Sequence, residues 1–218
     1  MTVPEPMAMF PLGSVLLPSM LLPLHIFEPR YRALIEDVLG ADGTFGVTMI
    51  ERGSEVGGAD IRAMIGCEAR VLDAEQQPDG RWHLVAVGTE PIDVVEWLPD
   101  DPYPRALVSR RPDPDTGLDA VDDPRWLELD SAFRSLLALA ADLVDSPVSP
   151  DIELAEDPQS ATYQMAAVAP LGSHDRYRVL RAPSAEERRQ ILLEVFEDAE
   201  VLITAQGPPE GDLTDGFL

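Results

Sequence analysis

Gly172-Ser173-His174-Asp175 spells a nucleophile, a base and a carboxylate in consecutive positions. A Ser–His–Asp triad needs those three groups to converge from separate segments, which neighbours on one stretch of chain do not do. Ser173 as a helix N-cap, with Asp175 in the first turn, accounts for the same residues at lower demand. The three histidines, His25, His83 and His174, are scattered, and Cys67 is the single cysteine. Neither HExxH nor paired Cys/His spacing is present, so the sequence offers no metal-ligand set. One cysteine also excludes an intramolecular disulfide. His25, between Leu24 and Ile26, reads as a structural histidine in a strand, and His83 alternates with Trp82 and Leu84 so that it can face solvent. Acidic residues are so numerous that a close carboxylate pair carries no information without a pocket.

The chain contains no lysine: all 16 residues of the Lys+Arg count are arginine. Schiff-base catalysis through a lysine amine is thereby excluded. So is a P-loop, whose lysine reaches the β- and γ-phosphates. The glycine-rich stretch at 53–58 (GSEVGG) lacks the strand–GxGxxG–helix setting of a phosphate cradle and reads as a loop. No cofactor is expected.

A net charge of −24 and a pI near 4.2 oppose nucleic-acid backbones and anionic membrane surfaces as partners. The arginines form only short local pairs such as Arg110-Arg111 and Arg188-Arg189. The apolar run from Leu12 to Ile26 is broken by prolines and falls short of the ~20 residues a membrane helix needs. With no basic region ahead of it, it does not read as a secretion signal either, so a cytoplasmic location is expected.

The elements that would position any site are legible from spacing. In Phe10–Leu39, Pro11, Pro18 and Pro23 cut an apolar run into short strands, because the residue before a proline is pushed out of the helical region. After Pro29, Tyr31, Leu34, Ile35, Val38 and Leu39 follow the i, i+3, i+4, i+7, i+8 stripe of a helix with one buried face. Strands are predicted at Thr44–Glu51, Ile65–Leu72, Arg81–Val87, Ile92–Leu98 and Arg105–Ser109 from β-branched and aromatic enrichment. Pro78-Asp79-Gly80 predicts the turn of a hairpin.

Arg111–Asp123, rich in Pro and Asp, marks a boundary. Beyond it Asp123-Pro124 and Asp157-Pro158 read as helix starts, and Ser184 with Glu187 as a capping box. Apolar faces are predicted at Leu129, Phe133, Leu136, Leu137, Ala140 and Val144, then at Ile191, Leu192, Val195, Phe196, Ala199, Leu202 and Ile203. The expectation is an α+β chain: a β-rich lobe over 1–118, a helical subdomain over 119–206, and a disordered acidic tail over 207–218.

The order of residues in the first stretch resembles the opening of the amino-terminal substrate-binding domain of Lon proteases. Pro11-Leu12, Val15-Leu16-Leu17-Pro18, Pro23-Leu24 and Ile26-Phe27-Glu28-Pro29-Arg30-Tyr31 carry the match. It continues more loosely through Ile65-Gly66, Val87-Gly88-Thr89 and the segment from Asp157 to Ile203. The resemblance implies a PUA-like β pseudo-barrel followed by a carboxy-terminal helical bundle. It also implies a role in holding protein substrates. Lon's ATPase P-loop and Ser–Lys peptidase dyad both need lysine, so a stand-alone, non-enzymatic module is expected.

Two devices could grip a polypeptide: a free sheet edge, and an apolar groove between lobe and bundle. The candidate contact residues are Met20, Leu21, Leu22, Glu28, Arg30, Trp82 and Trp97. For Glu28 and Arg30 the alternative is structural, with Arg30 satisfying a carboxylate where the chain enters the helix and Tyr31 in the core. Expected partners are polypeptide clients or a partner protein, favouring basic, apolar-rich segments. The rival expectation is a hydrolase with a site between the lobes, where a serine or carboxylate would meet a histidine. The sequence carries no signal of oligomeric state.

Overall fold

Proline placement sets the first third of the molecule. The computed structural model describes residues 3–52, 61–112, 114, 123–143 and 149–206. β1 (Glu5–Leu12) and β2 (Leu21–Ile26) are separated by a bend in which Val15, Leu16 and Leu17 are buried. α1 (Pro29–Gly40) starts with Pro29 after an extended Glu28, and buries Tyr31, Leu34, Ile35 and Val38 as the stripe predicts. The remaining strands are β3 (Thr44–Arg52), β4 (Ile61–Gln76), β5 (Trp82–Leu98) and β6 (Arg105–Arg110).

The hairpin at Pro78-Asp79-Gly80 joins β4 to β5: Gln77 N–H donates to Arg81 O at 2.8 Å, and Gly80 takes φ +82°. One expectation changes. The two strands predicted at 81–87 and 92–98 are a single 17-residue strand, β5. Its first half pairs with β2 and its second with β6, while β4 runs beside both. Register shifts near Cys67, Leu72 and Val95 let the long strands bend, so Pro91 does not end β5.

The sheet order is β2-β5-β4-β3-β1-β6, and β6 also pairs with β5. That second pairing closes β1, β3, β4, β5 and β6 into a small barrel and leaves β2 paired to β5 alone. β1 and β3 run parallel, with α1 within the connection between them. Met7, Met9, Ile92, Val94, Ala106 and Val108 fill the barrel as a cluster of their own. Space inside is tight: a Cβ on Gly46 would lie 2.5 Å from Met9 Sδ. At one mouth Arg110 pairs with Glu68 (2.7 Å), Glu90 (3.0 Å) and Glu5, tying β6 to β4, β5 and β1. At another end of the strands the Arg62 guanidinium lies 4.8 Å from the Trp97 ring and pairs with Asp100 at 2.8 Å.

The opposite faces of these strands carry Phe10, Phe45, Val47, Cys67 and Ala69, which pack with α1 and continue without interruption into the helices. Those helices are α2 (Pro124–Leu143), α3 (Pro158–Val168), α4 (Ser173–Arg181) and α5 (Ala185–Gln206). α2 and α5 face each other through Leu129, Phe133, Leu192 and Phe196, with the two phenylalanine rings 5.8 Å apart. Leu202, predicted on the apolar face of α5, is 62% exposed. The buried positions there are Ala199 and Ile203, one helical turn apart, and Leu202 is rotated off that line. Arg188 is fully buried between α3 and α5: it donates to Thr162 Oγ1 (2.9 Å) and Tyr163 OH (3.1 Å), and its guanidinium lies 4.0 Å from the Tyr163 ring.

Caps follow the sequence with one correction. Asp123 accepts from Arg125 N–H at 2.8 Å, and Ser184 Oγ accepts from Glu187 N–H at 3.2 Å. The N-cap of α4 is Gly172 and not Ser173, which is already the first helical residue. Asp157 caps α3 by accepting from Gln159 and Ser160 N–H. Burial opposes its charge, but the bonds from Ser160 and Gln159 outweigh it and hold the carboxyl below the usual range. A carboxyl lowered in the fold contributes stability above its unfolded pKa, about 3.9, which is lost as pH falls through the folded value. Asp157→Ala is therefore expected to cost about 1 kcal/mol in urea denaturation at pH 7. Its difference from the native protein should vanish in acid.

The expected boundary at 118/119, the loop at 53–58, Val144 and the tail at 207–218 lie outside the described residues. The α+β architecture, a barrel-like strand lobe followed by helices, is the expected one. Among the described residues no helix is long and apolar enough to cross a membrane.

Candidate functional site

Among the described residues, β2 is the strand whose second edge has no partner strand. Gly88 N–H donates to Met20 O at 3.0 Å, and Ser19 N–H to Gly88 O at 2.8 Å. Backbone groups alternate in direction along an antiparallel pair, so Leu22, Leu24 and Ile26 turn theirs toward β5. Leu21, Pro23 and His25 turn theirs to the open edge. Pro23 fits there because its missing N–H removes no bond from the sheet. The edge thus offers N–H groups of Leu21 and His25 and carbonyls of Leu21, Pro23 and His25.

Beside the far end of this edge the barrel leaves a gap. β1 and β2 do not pair, and between their C-terminal ends lies a cleft of about 110 Å³ lined by Phe10, Pro11, Leu12, Leu24, His25, Ile26, Phe27, Glu28 and Tyr31. The alternation Leu22-x-Leu24-x-Ile26 turns those side chains inward, and α1 brings Tyr31 under Phe10 with ring centroids 4.2 Å apart. The Arg30 guanidinium lies 4.5 Å from the Tyr31 ring, and its Nε donates to Glu28 Oε2 at 3.1 Å. Phe27, 56% exposed, stands at the rim. The cleft is apolar inside and polar at one lip, adjacent to unpaired backbone.

Of the sequence candidates, Leu21 is exposed on β2, while Met20 and Leu22 are partly buried against the core. Glu28 and Arg30 meet as an ion pair at the cleft lip, so the two readings of that pair coexist. Trp82 is partly buried opposite Ile26, with its indole N–H unpartnered. Trp97 is elsewhere: it packs on the small barrel cluster beneath Arg62, at the opposite end of β5. Phe10, Leu12, Leu24 and Phe27 were not among the contact residues expected from sequence. For Leu24 the signal was present in the alternation of β2, whereas Phe10 and Leu12 reach the cleft from β1, and that β1 and β2 fail to pair is a tertiary fact.

For the rival chemistry, neither His25 nor His83 has a hydrogen bond or ion pair to a serine or carboxylate among the described residues. His25, read as structural, is exposed, and its ring meets His83 edge-on at 4.8 Å, with Asp73 and Glu75 lining the same hollow of the sheet. His174 is exposed and lies 3.5 Å from Asp175, but with Ser173 these are consecutive positions of one helix, turned roughly 100° from one another. Burial pushes the Cys67 thiol far above its ordinary range, the reverse of what a thiolate nucleophile needs. Among the described residues no cluster of His, Cys, Asp and Glu has metal-binding geometry.

Comparison with known proteins agrees with this architecture. Residues 6–198 match the family model of the ATP-dependent protease La (LON) substrate-binding domain. The chain is 30% identical over 208 residues to Lon protease 1 of Herpetosiphon aurantiacus, covering 89% of this chain and 24% of that protein. It is 28% identical over 209 residues to the Lon protease of Roseiflexus castenholzii, covering 92% and 25%. It therefore spans about a quarter of the length of these curated relatives. The Lon N-terminal domain protein from Xanthomonas campestris superposes with a TM-score of 0.67 at 25% identity, over 87% of this chain and 98% of that one. The N-terminal domain of Mycobacterium avium complex Lon protease shares the fold, with a TM-score of 0.64 at 15% identity over 89% and 99%. The similarity is to the substrate-binding domain and not to ATPase or peptidase domains. From the first barrel strand to the last helix, this chain belongs to the Lon substrate-binding domain family.

Proposed function

We propose that the protein holds exposed, extended polypeptide segments without cutting them, by adding the segment as a strand along the open edge of β2. Five backbone groups there face away from the sheet, and that is the observation on which the reading rests. Backbone hydrogen bonds would supply affinity that tolerates many sequences, and the neighbouring cleft would take alternate apolar side chains of the guest. Selectivity would then be for an unfolded state more than for a motif.

The edge makes the reading testable because proline can be moved along it. Pro23→Val adds one outward N–H at the centre of the edge. His25→Pro removes one, with Leu24 before it already in the extended conformation a proline requires. One net hydrogen bond is worth about 1 kcal/mol, or about fivefold in affinity. Fluorescence anisotropy with a labelled, alternating leucine/threonine peptide should give about fivefold tighter binding for Pro23→Val and about fivefold weaker binding for His25→Pro. The peptide should be recovered intact by mass spectrometry. Equal affinities for both variants, or no binding at roughly 1 mM peptide, would reject the edge.

A further inference from the structure

The outer face of the sheet beside β2 holds a second hollow, of about 640 Å³, spanning β2, β5 and β4. Its floor is Pro23 and Val85, its wall the edge-on pair His25–His83, and its far rim Asp73 and Glu75. Both carboxylates are exposed, and among the described residues neither has a hydrogen bond or an ion pair. Leu24 and His25 line this hollow and the inner cleft alike, so both flank β2. Arg70 lies on the same face beside Val87, further along β4, and is not among the lining residues.

We infer that this hollow is a side-chain subsite for an arginine of the bound segment, which gives the binding edge a preference for cationic guests. The inference rests on the reading of β2 as the binding edge. Side chains of an added strand alternate between the two faces of the sheet. Those on the inner face meet the apolar cleft, and those on the outer face lie beside Leu21, Pro23 and His25. The carboxylates on β4 are three strand spacings from the added strand, about 14 Å, across β2 and β5. An arginine side chain reaching inward and a glutamate side chain reaching outward close that gap together. A guanidinium suits the walls, since it stacks on flat rings and donates to carboxylates from one planar fork. The occupant is thus an extended, apolar-alternating segment with an arginine on its outward side, matched to unpaired negative charge on a chain of net charge −24.

The test uses a labelled nine-residue peptide with leucine and valine at alternate positions, serine and threonine between them, and one central arginine. Its counterpart carries citrulline, the neutral isostere, at the centre. Two exposed charge contacts at 50 mM salt should make the arginine peptide bind roughly five- to tenfold tighter. In Asp73→Asn/Glu75→Gln that ratio should fall to about one while affinity for the citrulline peptide stays as in the native protein. Both residues are exposed and unpaired, so the double variant keeps the fold. A ratio that survives the double variant would overturn the subsite and assign the preference to overall charge. Equal binding of the two peptides to the native protein would overturn it while leaving the β2 edge standing. Binding of neither would overturn both.

Discussion

Arg110→Ala should lower the free energy of unfolding by about 3–5 kcal/mol, measured by urea denaturation at pH 7. The arginine is the cation of a mouth of the barrel where Glu68, Glu90 and Glu5 converge from three other strands. Glu68 is 3% exposed, and removing its partner strands a carboxylate that cannot return to water without opening the barrel mouth that Arg110 ties across from β6 to β4. The pH dependence supplies a second signature. The Glu90 carboxyl stands above its usual range because burial and the neighbouring Glu68 disfavour its charge, while Arg110 opposes both. A carboxyl raised in the fold favours the folded state at low pH, and that contribution is lost as pH rises through the folded value. Loss of Arg110 raises it further, so the variant should recover part of its deficit between pH 7 and pH 5. Adding Glu68→Gln to Arg110→Ala should also restore stability, because the stranded charge is then gone. Additive losses in that double variant, with no recovery in acid, would mean that the four groups do not act together.

Gly88→Ala should cost about 3 kcal/mol and remove peptide binding. A Cβ at this position would sit 2.2 Å from the Leu17 carbonyl oxygen and 3.1 Å from Cys67 Sγ. The first of these is backbone, so the clash is relieved only by moving the buried bend before β2. Gly88 also holds that bend through its bonds with Met20 and Ser19, and Ser19 is already at φ +65°. Displacing these residues shifts the start of β2 and breaks the alternation that turns Leu21, Pro23 and His25 outward. Gly40→Ala is the control: nothing lies within 4 Å of its Cβ, and stability should hold or rise by up to about 1 kcal/mol. Thermal melts compare the two variants, and anisotropy reads binding. A Gly88→Ala protein as stable as the native one, with unchanged peptide affinity, would contradict the close approach.

The two variants locate what the chain's local chemistry leaves open. Nothing near Arg110 in the sequence announces Glu68, 42 residues away, as its partner. Nothing around Gly88 shows that the carbonyl of Leu17 will lie against it. Both contacts arise because β5 is one bent strand shared by β2, β4 and β6, where local pattern suggests two. Pro91 invites a break, and pairing on both sides carries the strand through it: Cys67 of β4 lies opposite Pro91, and Arg111 N–H donates to Pro91 O at 2.9 Å.

The site divides along the same line. Proline spacing and the alternation of Leu22, Leu24 and Ile26 determine that β2 is short, extended and apolar on one face, since conformational restriction and side-chain period are properties of neighbouring residues. Likewise the stripe after Pro29 determines a helix that buries Tyr31. Whether β2 finds a second partner strand is decided by barrel closure, in which β6 takes the place beside β1 and leaves the β2 edge open. Trp82 and Trp97, equivalent by composition, are separated for that reason, one opposite β2 and the other under Arg62 at the β6 end. Periodicity is local and survives in any single segment. An unpaired edge is a property of what the rest of the chain has already paired with, and only the folded whole can decide it.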